Sequence, residues 1–397
     1  MYDVIIAGAG PAGSTCARLC AKQGLSTLLL DGADFPRSKP CGGAVSTRAL
    51  MMLDFPIPEK VIEKECYGVR VHCSGRSIFV RKDRRIAVLV QRDRFDSFLA
   101  EKAMEAGAGF SPGESVIDIR QTADMAEVVT AKTAYQARFL IGADGIHSRV
   151  ASAVRPPFQK DETVLALIST VTDAPGTVDE QDTTIEFYFG ITPLGYGWLF
   201  PRRGYCSLGI AGSAIGLPDP HRQLSDFARF CGKDVSAVRG YFIPLGGKKR
   251  AVASKRILLA GDAAGFADSL HGEGIVHAIH SGKIAARAII DAIGNGRDPS
   301  SAASWYQHET EGRIVRELRV AHRMATLLDS YPRLFLRIFF DHPEALLRYL
   351  DIPAGRTTYR QFQRWLLSHF PCLLLPARRR VSGVPVGDRV HAHQEHS

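Results

Sequence analysis

The stretch Gly8-Ala9-Gly10-Pro11-Ala12-Gly13 constrains this chain more than any other. An apolar run of strand length, Tyr2 to Ala7, leads into it, and the helical pattern of residues 11–23 leads out. A second apolar run, Leu25 to Leu30, closes on Asp31. Strand, helix and strand in this order make a β-α-β unit, which requires a parallel sheet. Each glycine has its own task. Gly8 permits the tight turn, Gly10 lets a pyrophosphate approach the backbone, and Gly13 lets helix and strand pack closely. The helix that opens with Pro11 and Ala12 then turns its free N–H groups, Pro11 itself having none, toward phosphates. Asp31 stands where a carboxylate takes ribose hydroxyls. Such a glycine pattern alone is weak evidence. Between a strand and a helix, with that acid in place, it marks a dinucleotide site.

Two further strand ends carry acids. Gly142-Ala143-Asp144-Gly145-Ile146-His147-Ser148 follows the apolar Phe139-Leu140-Ile141, and Gly261-Asp262-Ala263-Ala264-Gly265 follows Arg256 to Ala260. Open α/β sheets bind ligands at such carboxyl ends. A flavin dinucleotide is long and needs acceptors along its ribityl chain as well as at its ribose. Three ordered ends therefore favour FAD over NAD.

The rest of the chain separates around these ends. Residues 66–90 alternate, with Val, Ile and Phe, and are expected as strands of a second sheet; 93–107 read as a helix. Residues 113–141 read as a hairpin returning to the buried strand, and 163–211 as an antiparallel, aromatic-rich sheet. A long helix is expected over 273–293, and only helices after Pro299. The expected fold class is α/β, α+β overall: a Rossmann-like FAD-binding domain, a discontinuous antiparallel substrate domain and a helical C-terminal region. The boundaries are 1–60, 86–160 and 250–298 for the first, 61–85 and 161–249 for the second, and 299–397 for the third, with a flexible tail from about 381.

Composition removes other classes. Of 397 residues, 45% are hydrophobic and 23% charged, the balance of a folded globular chain rather than a disordered one. Eight cysteines without CxxC or zinc spacing exclude a disulfide scaffold and give no metal site. The first residues show no basic leader, and no stretch has the ~18 apolar residues of a spanning helix. A cytoplasmic location is expected. The net charge of +9 is uneven. Residues 331–380 hold nine arginines against Asp341, Glu344 and Asp351, together with nine of the 34 aromatics, and no lysine follows Lys283. With no nucleic-acid fold in sight, this pattern favours an anionic lipid surface, met through amphipathic helices, or simple packing of those helices as a lid.

The order GxGxxG, GADGxxS, GDAAG resembles the FAD-dependent group that includes aromatic hydroxylases. Phe35-Pro36-Arg37-Ser38-Lys39-Pro40-Cys41-Gly42-Gly43 is similar to the cysteine-glycine signature of the geranylgeranyl reductase family. Pro193-Leu194-Gly195-Tyr196-Gly197-Trp198-Leu199-Phe200-Pro201 matches that family's PxxYxWxFP pattern at every fixed position. The resemblance covers roughly residues 2–295. It implies non-covalent FAD, with Gly8, Gly10, Gly13 and Asp31 on the ADP half. Arg37, Cys41, Gly42, Gly43 and Val116 would lie along the cofactor, and Arg92 at its pyrophosphate or adenosine side. Asp262 would hold the ribityl chain, and Gly272, Glu273, Gly274 and Ile275 would present N–H groups to the flavin pyrimidine edge. Asp144 is either a cofactor contact or a structural acid.

It also implies reduction of isoprenoid double bonds. Pro193, Tyr196, Trp198, Phe200 and Pro201 would border the substrate; by strand periodicity Tyr196, Trp198 and Phe200 share one face. Cys41, His271 and Tyr196 are the catalytic candidates. Cys41 is either a proton donor or a small residue that fits. His271 is a departure, because the family reads Asn-Pro-Leu-Thr-Gly-Glu-Gly where this chain reads Asp268-Ser269-Leu270-His271-Gly272-Glu273-Gly274. No second glycine fingerprint exists for a nicotinamide domain, so the donor is open between NAD(P)H, a ferredoxin or a quinol. The alternatives are a monooxygenase or halogenase on the same fold, and a non-catalytic FAD-stabilised lipid-binding protein.

Overall fold

The structure is a computed structural model that describes residues 1–122, 124–172, 183–193, 195–213, 215–373 and, by backbone, 389–394. Leu194, Leu374, Leu375, Arg378, Arg379, Arg380 and His396 lie outside the described residues, as does the start of the expected tail at 381–388.

The first sheet forms as the glycine turn requires. Strands Ile257–Leu259, Ala134–Gly142, Tyr2–Ala7, Thr27–Leu30 and Gly109–Ser111 lie side by side, all parallel. Ile5, Ile6, Leu29, Leu140 and Ile141 are fully buried, because the centre of the sheet is covered on both faces and only strand starts such as Ala134 and Gly109 reach water. Helix Pro11–Lys22 packs on helix Ile275–Gly294 at very short range. A Cβ on Gly282 would stand 2.4 Å from the Ala12 carbonyl oxygen.

The second sheet orders its strands as Val238–Pro244, Thr163–Thr172, Tyr205–Ser213, Tyr196–Pro201, Thr184–Phe189, Gly68–Cys73, Arg76–Arg81 and Arg389–Gln394. It is antiparallel except where Thr184–Phe189 runs parallel to Gly68–Cys73, a pairing between segments far apart in the chain. Along Tyr196–Pro201, Gly197 and Leu199 face helix Pro220–Phe230; an added Gly197 Cβ would meet Phe227 at 2.8 Å. Tyr196, Trp198 and Phe200 face the other way.

Two expectations need correction. Residues 66–90 do not all join this sheet. Ile62–Cys66, Ala87–Val90 and Ala44–Ser46 make a separate three-stranded sheet. Ala87–Val90 is buried on both faces, with Leu89 in one core and Val88 and Val90 in another; such a strand joins two layers rather than alternating. The chain after Pro299 is also not wholly helical, because Arg389–Gln394 pairs with the edge strand Arg76–Arg81. An edge strand offers unpaired backbone groups to any extended segment, which no local periodicity reveals.

Helix Pro299–Thr310 packs on the parallel sheet, where the Tyr306 hydroxyl donates to the Leu259 carbonyl, and helices Arg316–Ser330, Pro332–Asp341, Pro343–Leu350 and Tyr359–Leu373 close over the aromatic face of the second sheet. From these four helices, Leu336, Phe339, Leu346, Tyr359 and Phe362 share one core with Trp198 and Phe200.

Candidate functional site

A single cavity of about 1150 Å³ joins the two sheets. Ordinary ligand sites occupy roughly 300–1,000 Å³, so there is room for a dinucleotide and part of a long second molecule.

At one end backbone does the shaping. Gly8 has φ +101°, and a Cβ there would lie 2.3 Å from the Ala143 oxygen. A Cβ on Gly13 would lie 1.8 Å from the Gly8 oxygen, so Gly13 serves helix–strand contact and does not line the cavity. Gly10, Pro11 and Ala12 do line it. The helix they open has neither a side-chain cap nor an acid in its first turn, which leaves N–H groups available to an anion. Asp31 lines the same end. Its Oδ2 accepts the Ala9 N–H at 2.8 Å and its Oδ1 the Ala33 N–H at 3.0 Å. Arg37 reaches Asp31 at 3.4 Å and Asp96 at 3.1 Å, and Arg92 grips Asp96 with two bonds of 2.8 Å. Burial opposes the Arg92 charge, but Asp96 outweighs it and holds the guanidinium protonated, with Cys41 close by. Arg92 is thus at the cysteine loop.

Further along, Asp262 sits on the turn Gly261–Ala264. Its Oδ2 lies 3.3 Å from Lys39 Nζ and accepts the Tyr241 hydroxyl at 3.2 Å. Burial pulls the Lys39 ammonium down, yet Asp262 and Tyr241 together more than restore it. Gly274 passes close to Asp262 and leads into helix Ile275–Gly294, again without side-chain cap or first-turn acid. Gly272 has φ +67°, and a Cβ there would strike the Tyr196 hydroxyl at 2.3 Å. Burial raises the Glu273 carboxyl, whose Oε1 has no partner. Asp144 spends its oxygens on its own loop, accepting from Ser148 Oγ and from the N–H groups of Arg149 (2.8 Å) and Val150 (3.3 Å). Val116, Glu273 and Ile275 also line the cavity. Glycine where a side chain would collide, two uncapped helix starts and the acids Asp31 and Asp262 fit FAD.

The other end is aromatic. Tyr196 and Trp198 have ring centroids 6.2 Å apart, Trp198 and Phe200 6.3 Å, and Phe187 sits edge-on to Tyr196 and Phe200 at 5.5 Å. Pro193 lines the cavity; Pro201, paired with Cys206 at a strand end, does not. The cysteine loop lies on this wall, since a Gly42 Cβ would be 3.0 Å from Phe200. Cys41 Sγ accepts the Gly43 N–H at 3.3 Å. Tyr196 donates its hydroxyl to the His271 carbonyl at 2.7 Å, and burial pushes its pKa up. The His271 ring turns to the C-terminal helices. It stacks on Tyr349 at 4.6 Å, its Nδ1 bonds the Tyr359 hydroxyl, and Asp268 lies 3.7 Å away. Burial would raise Asp268, but the nearby His271 ring, the His271 N–H that donates to its Oδ1 at 3.0 Å, and His277 together hold it well below the usual range.

Sequence reasoning missed Lys39, Asp96, Tyr241, Arg202 and Glu63. Buried Arg202 bonds Glu63, the Gly42 carbonyl and the Val90 carbonyl, the last at 3.0 Å, and so pins the cysteine loop. Its one available signal was its position directly after Pro201. Asp96 stands one helical turn from Arg92, which is a legible i,i+4 pair. Nothing local marked Tyr241 or Glu63.

A family model described as FAD binding domain matches residues 1–208. The chain is 31% identical over 332 residues to the geranylgeranyl diphosphate reductase of Rhodobacter capsulatus, covering 80% of this chain and 83% of that one. It is 32% identical over 369 residues to an uncharacterized protein of Methanosarcina barkeri, covering 91% and 93%. Among solved structures, a geranylgeranyl bacteriochlorophyll reductase-like protein of Thermoplasma acidophilum superposes with TM-score 0.77 at 23% identity, over 94% and 97% of the two chains. A flavin-dependent brominase shares the fold at TM-score 0.68 and 20% identity, over 94% and 99%. The fold and the cofactor end define an FAD-dependent oxidoreductase. Within that class, the chain belongs to the geranylgeranyl reductase family.

Proposed function

We propose that this protein saturates carbon–carbon double bonds of an isoprenoid chain, of geranylgeranyl type or another prenyl or polyene. The observation that carries this reading is the aromatic wall of Tyr196, Trp198 and Phe200 sharing one cavity with the cofactor end. Its relative from Rhodobacter capsulatus, named for geranylgeranyl diphosphate, supports the substrate class. FAD, when bound and reduced, would supply the hydride for one alkene carbon; the protein must hold the chain, exclude water and give a proton to the other carbon. Alignment of this kind is worth about 7–11 kcal/mol of barrier.

Pro193, Trp198 and Phe200 border the chain. Cys41 is the proposed proton donor: its sulfur accepts from Gly43, which leaves its own hydrogen for the cavity. Tyr196 gives its hydrogen to His271 and is a positioning residue. His271, turned to Tyr349 and Tyr359, ties the cofactor loop to the helical cap. Gly8, Gly10, Asp31, Arg37, Arg92, Asp262 and Gly272–Gly274 are the proposed cofactor residues, a reading supported by their place in the cavity, while Asp144 reads as a brace for its loop. Electrons come from a separate donor, NAD(P)H or a ferredoxin. The protein works in the cytoplasm, peripherally on the membrane, through segment 331–380. Among the described residues no helix is long and apolar enough to cross a bilayer.

The test is anaerobic. Chemically reduced protein mixed with geranylgeranyl diphosphate should reoxidise its flavin and yield a product with two more hydrogens per double bond. A product that forms only with oxygen would instead indicate a monooxygenase or halogenase. A flavin unchanged by bound lipid would indicate a binding protein.

A further inference from the structure

Helix Arg316–Ser330 ends and helix Pro332–Asp341 begins at a sharp corner around Tyr331. Leu328 and Leu336 of this corner line the cavity from within. Thr326, Asp329 and Pro332 line it too and are exposed, so the cavity opens to the outside here. Around the opening stand large apolar side chains with about half their surface in water. Leu327 is 51% exposed, Tyr331 62% and Leu334 45%. Three such residues within eight positions are not scattered surface hydrophobes, and each lies beside an opening into an apolar interior. Arg323 shares the outer face of the first helix with Leu327 by i,i+4 spacing, and exposed Arg333 and Arg337 flank Leu334 on the second.

We propose that this corner, residues 323–337, is the surface by which the protein seats on an anionic bilayer, with the cavity opening pressed to the lipid. Leu327, Tyr331 and Leu334 enter the acyl boundary, and Arg323, Arg333 and Arg337 meet headgroup phosphates. An apolar chain then passes from bilayer to cavity without crossing water. This narrows the contact from the whole of 331–380 to one corner, and moves part of it upstream of residue 331. It rests on the isoprenoid reading for its purpose but not for its test.

The experiment is flotation of the full-length, FAD-loaded protein with vesicles of phosphatidylcholine containing phosphatidylglycerol. Wild type should float. The double variant Leu327→Asp, Leu334→Asp should lose at least about tenfold in partitioning. Arg333→Gln with Arg337→Gln should lose binding to anionic vesicles while leaving the weak binding to pure phosphatidylcholine unchanged. Ile215→Asp, at a residue 69% exposed elsewhere, should float like wild type. Circular dichroism and flavin content should match wild type in every variant compared. Equal flotation of the Leu327, Leu334 variant and wild type would overturn the proposal. So would a wild type that stays at the bottom, or a dimer by sedimentation that the same substitutions dissolve. Reduction of a short, detergent-free prenyl alcohol separates the two claims. Turnover without flotation sinks the docking surface alone, and flotation without turnover leaves the surface standing and sinks the substrate reading.

Discussion

In the parallel sheet the cavity is walled by backbone, and in the antiparallel sheet it is walled by rings. At the first, a Cβ on Gly8 or Gly13 would lie within 2.3 Å of a carbonyl oxygen, so the tolerance for change is near zero. At the second, Tyr196, Trp198, Phe200 and Phe187 meet at centroid distances of 5.5 to 6.3 Å, which leaves room for repacking. A fixed cofactor needs the first kind of wall, and a long apolar molecule that must slide in and out needs the second. Between them lies the cysteine loop, which Arg202 ties to the end of the aromatic strand.

If this contrast holds, substitutions at the two ends should differ in kind. Gly13→Ala should have the largest effect, because neither the Gly8 carbonyl nor the helix can yield. The expected protein retains no flavin through purification, by absorbance, or does not fold; normal flavin content would remove the argument. Next comes the link between the ends. Arg202→Met leaves the largely buried Glu63 with only the Tyr205 hydroxyl as partner and should cost up to about 3 kcal/mol in urea unfolding. It should also speed alkylation of Cys41, since the Gly42 carbonyl is released. The double variant Glu63→Leu, Arg202→Met should regain part of the stability but not slow that alkylation.

A third test concerns helix Ile275–Gly294, which serves the cofactor end. Burial depresses its histidines, His277 to about 3 and His280 to about 4, with Arg48 adding to the effect at both. Asp268, the one acid acting on His277, opposes, while His271, Lys283 and Arg313 are the other charged or titratable groups that act on the pair. Their folded pKa values lie below the ordinary 6.5, so the unfolded chain binds more protons between these limits. Stability is therefore full above about pH 6.5 and falls as pH drops toward 3–4, by up to about 1.4 kcal/mol per pH unit for each group. His277→Gln with His280→Gln should flatten the dependence of Tm on pH between 6 and 4; an unchanged slope would mean the two are not buried neutral. The smallest effect is expected at the aromatic end. Tyr196→Phe removes one bond to a backbone carbonyl, about 0.5–1.5 kcal/mol, and should raise KM for the lipid while leaving FAD affinity within about twofold. A larger loss of flavin than of substrate binding would reverse the comparison.

How much of this was legible beforehand divides along the same line. Gly8, Gly10, Gly13, Asp31, Asp262 and the glycines at 272 and 274 could be read because each lies within a few residues of the strand or helix end it serves. The shared face of Tyr196, Trp198 and Phe200 could be read because strand periodicity is local. Glu63, Arg202, Tyr241 and Lys39 could not be assigned partners, for their partners lie far away in the chain. Asp144 was legible as an acid at a strand end, but its bonds to Ser148, Arg149 and Val150 emerge only from the folded loop. His271 was marked as unusual, yet the direction of its ring depends on Tyr349 and Tyr359, which a separate helical segment brings to it.

The sequence by itself determined the parallel sheet, the cofactor class and the family, because backbone sterics at a nucleotide turn admit few residues and leave them contiguous. Tertiary structure alone decided that the strand Ala87–Val90 leaves the large sheet, that Arg389–Gln394 closes its edge, and that one charged pair joins the cofactor loop to the aromatic wall. It also decided which residues of an arginine- and aromatic-rich tail face outward. Those outcomes depend on pairings across the whole chain, whose energies appear only once distant segments have met.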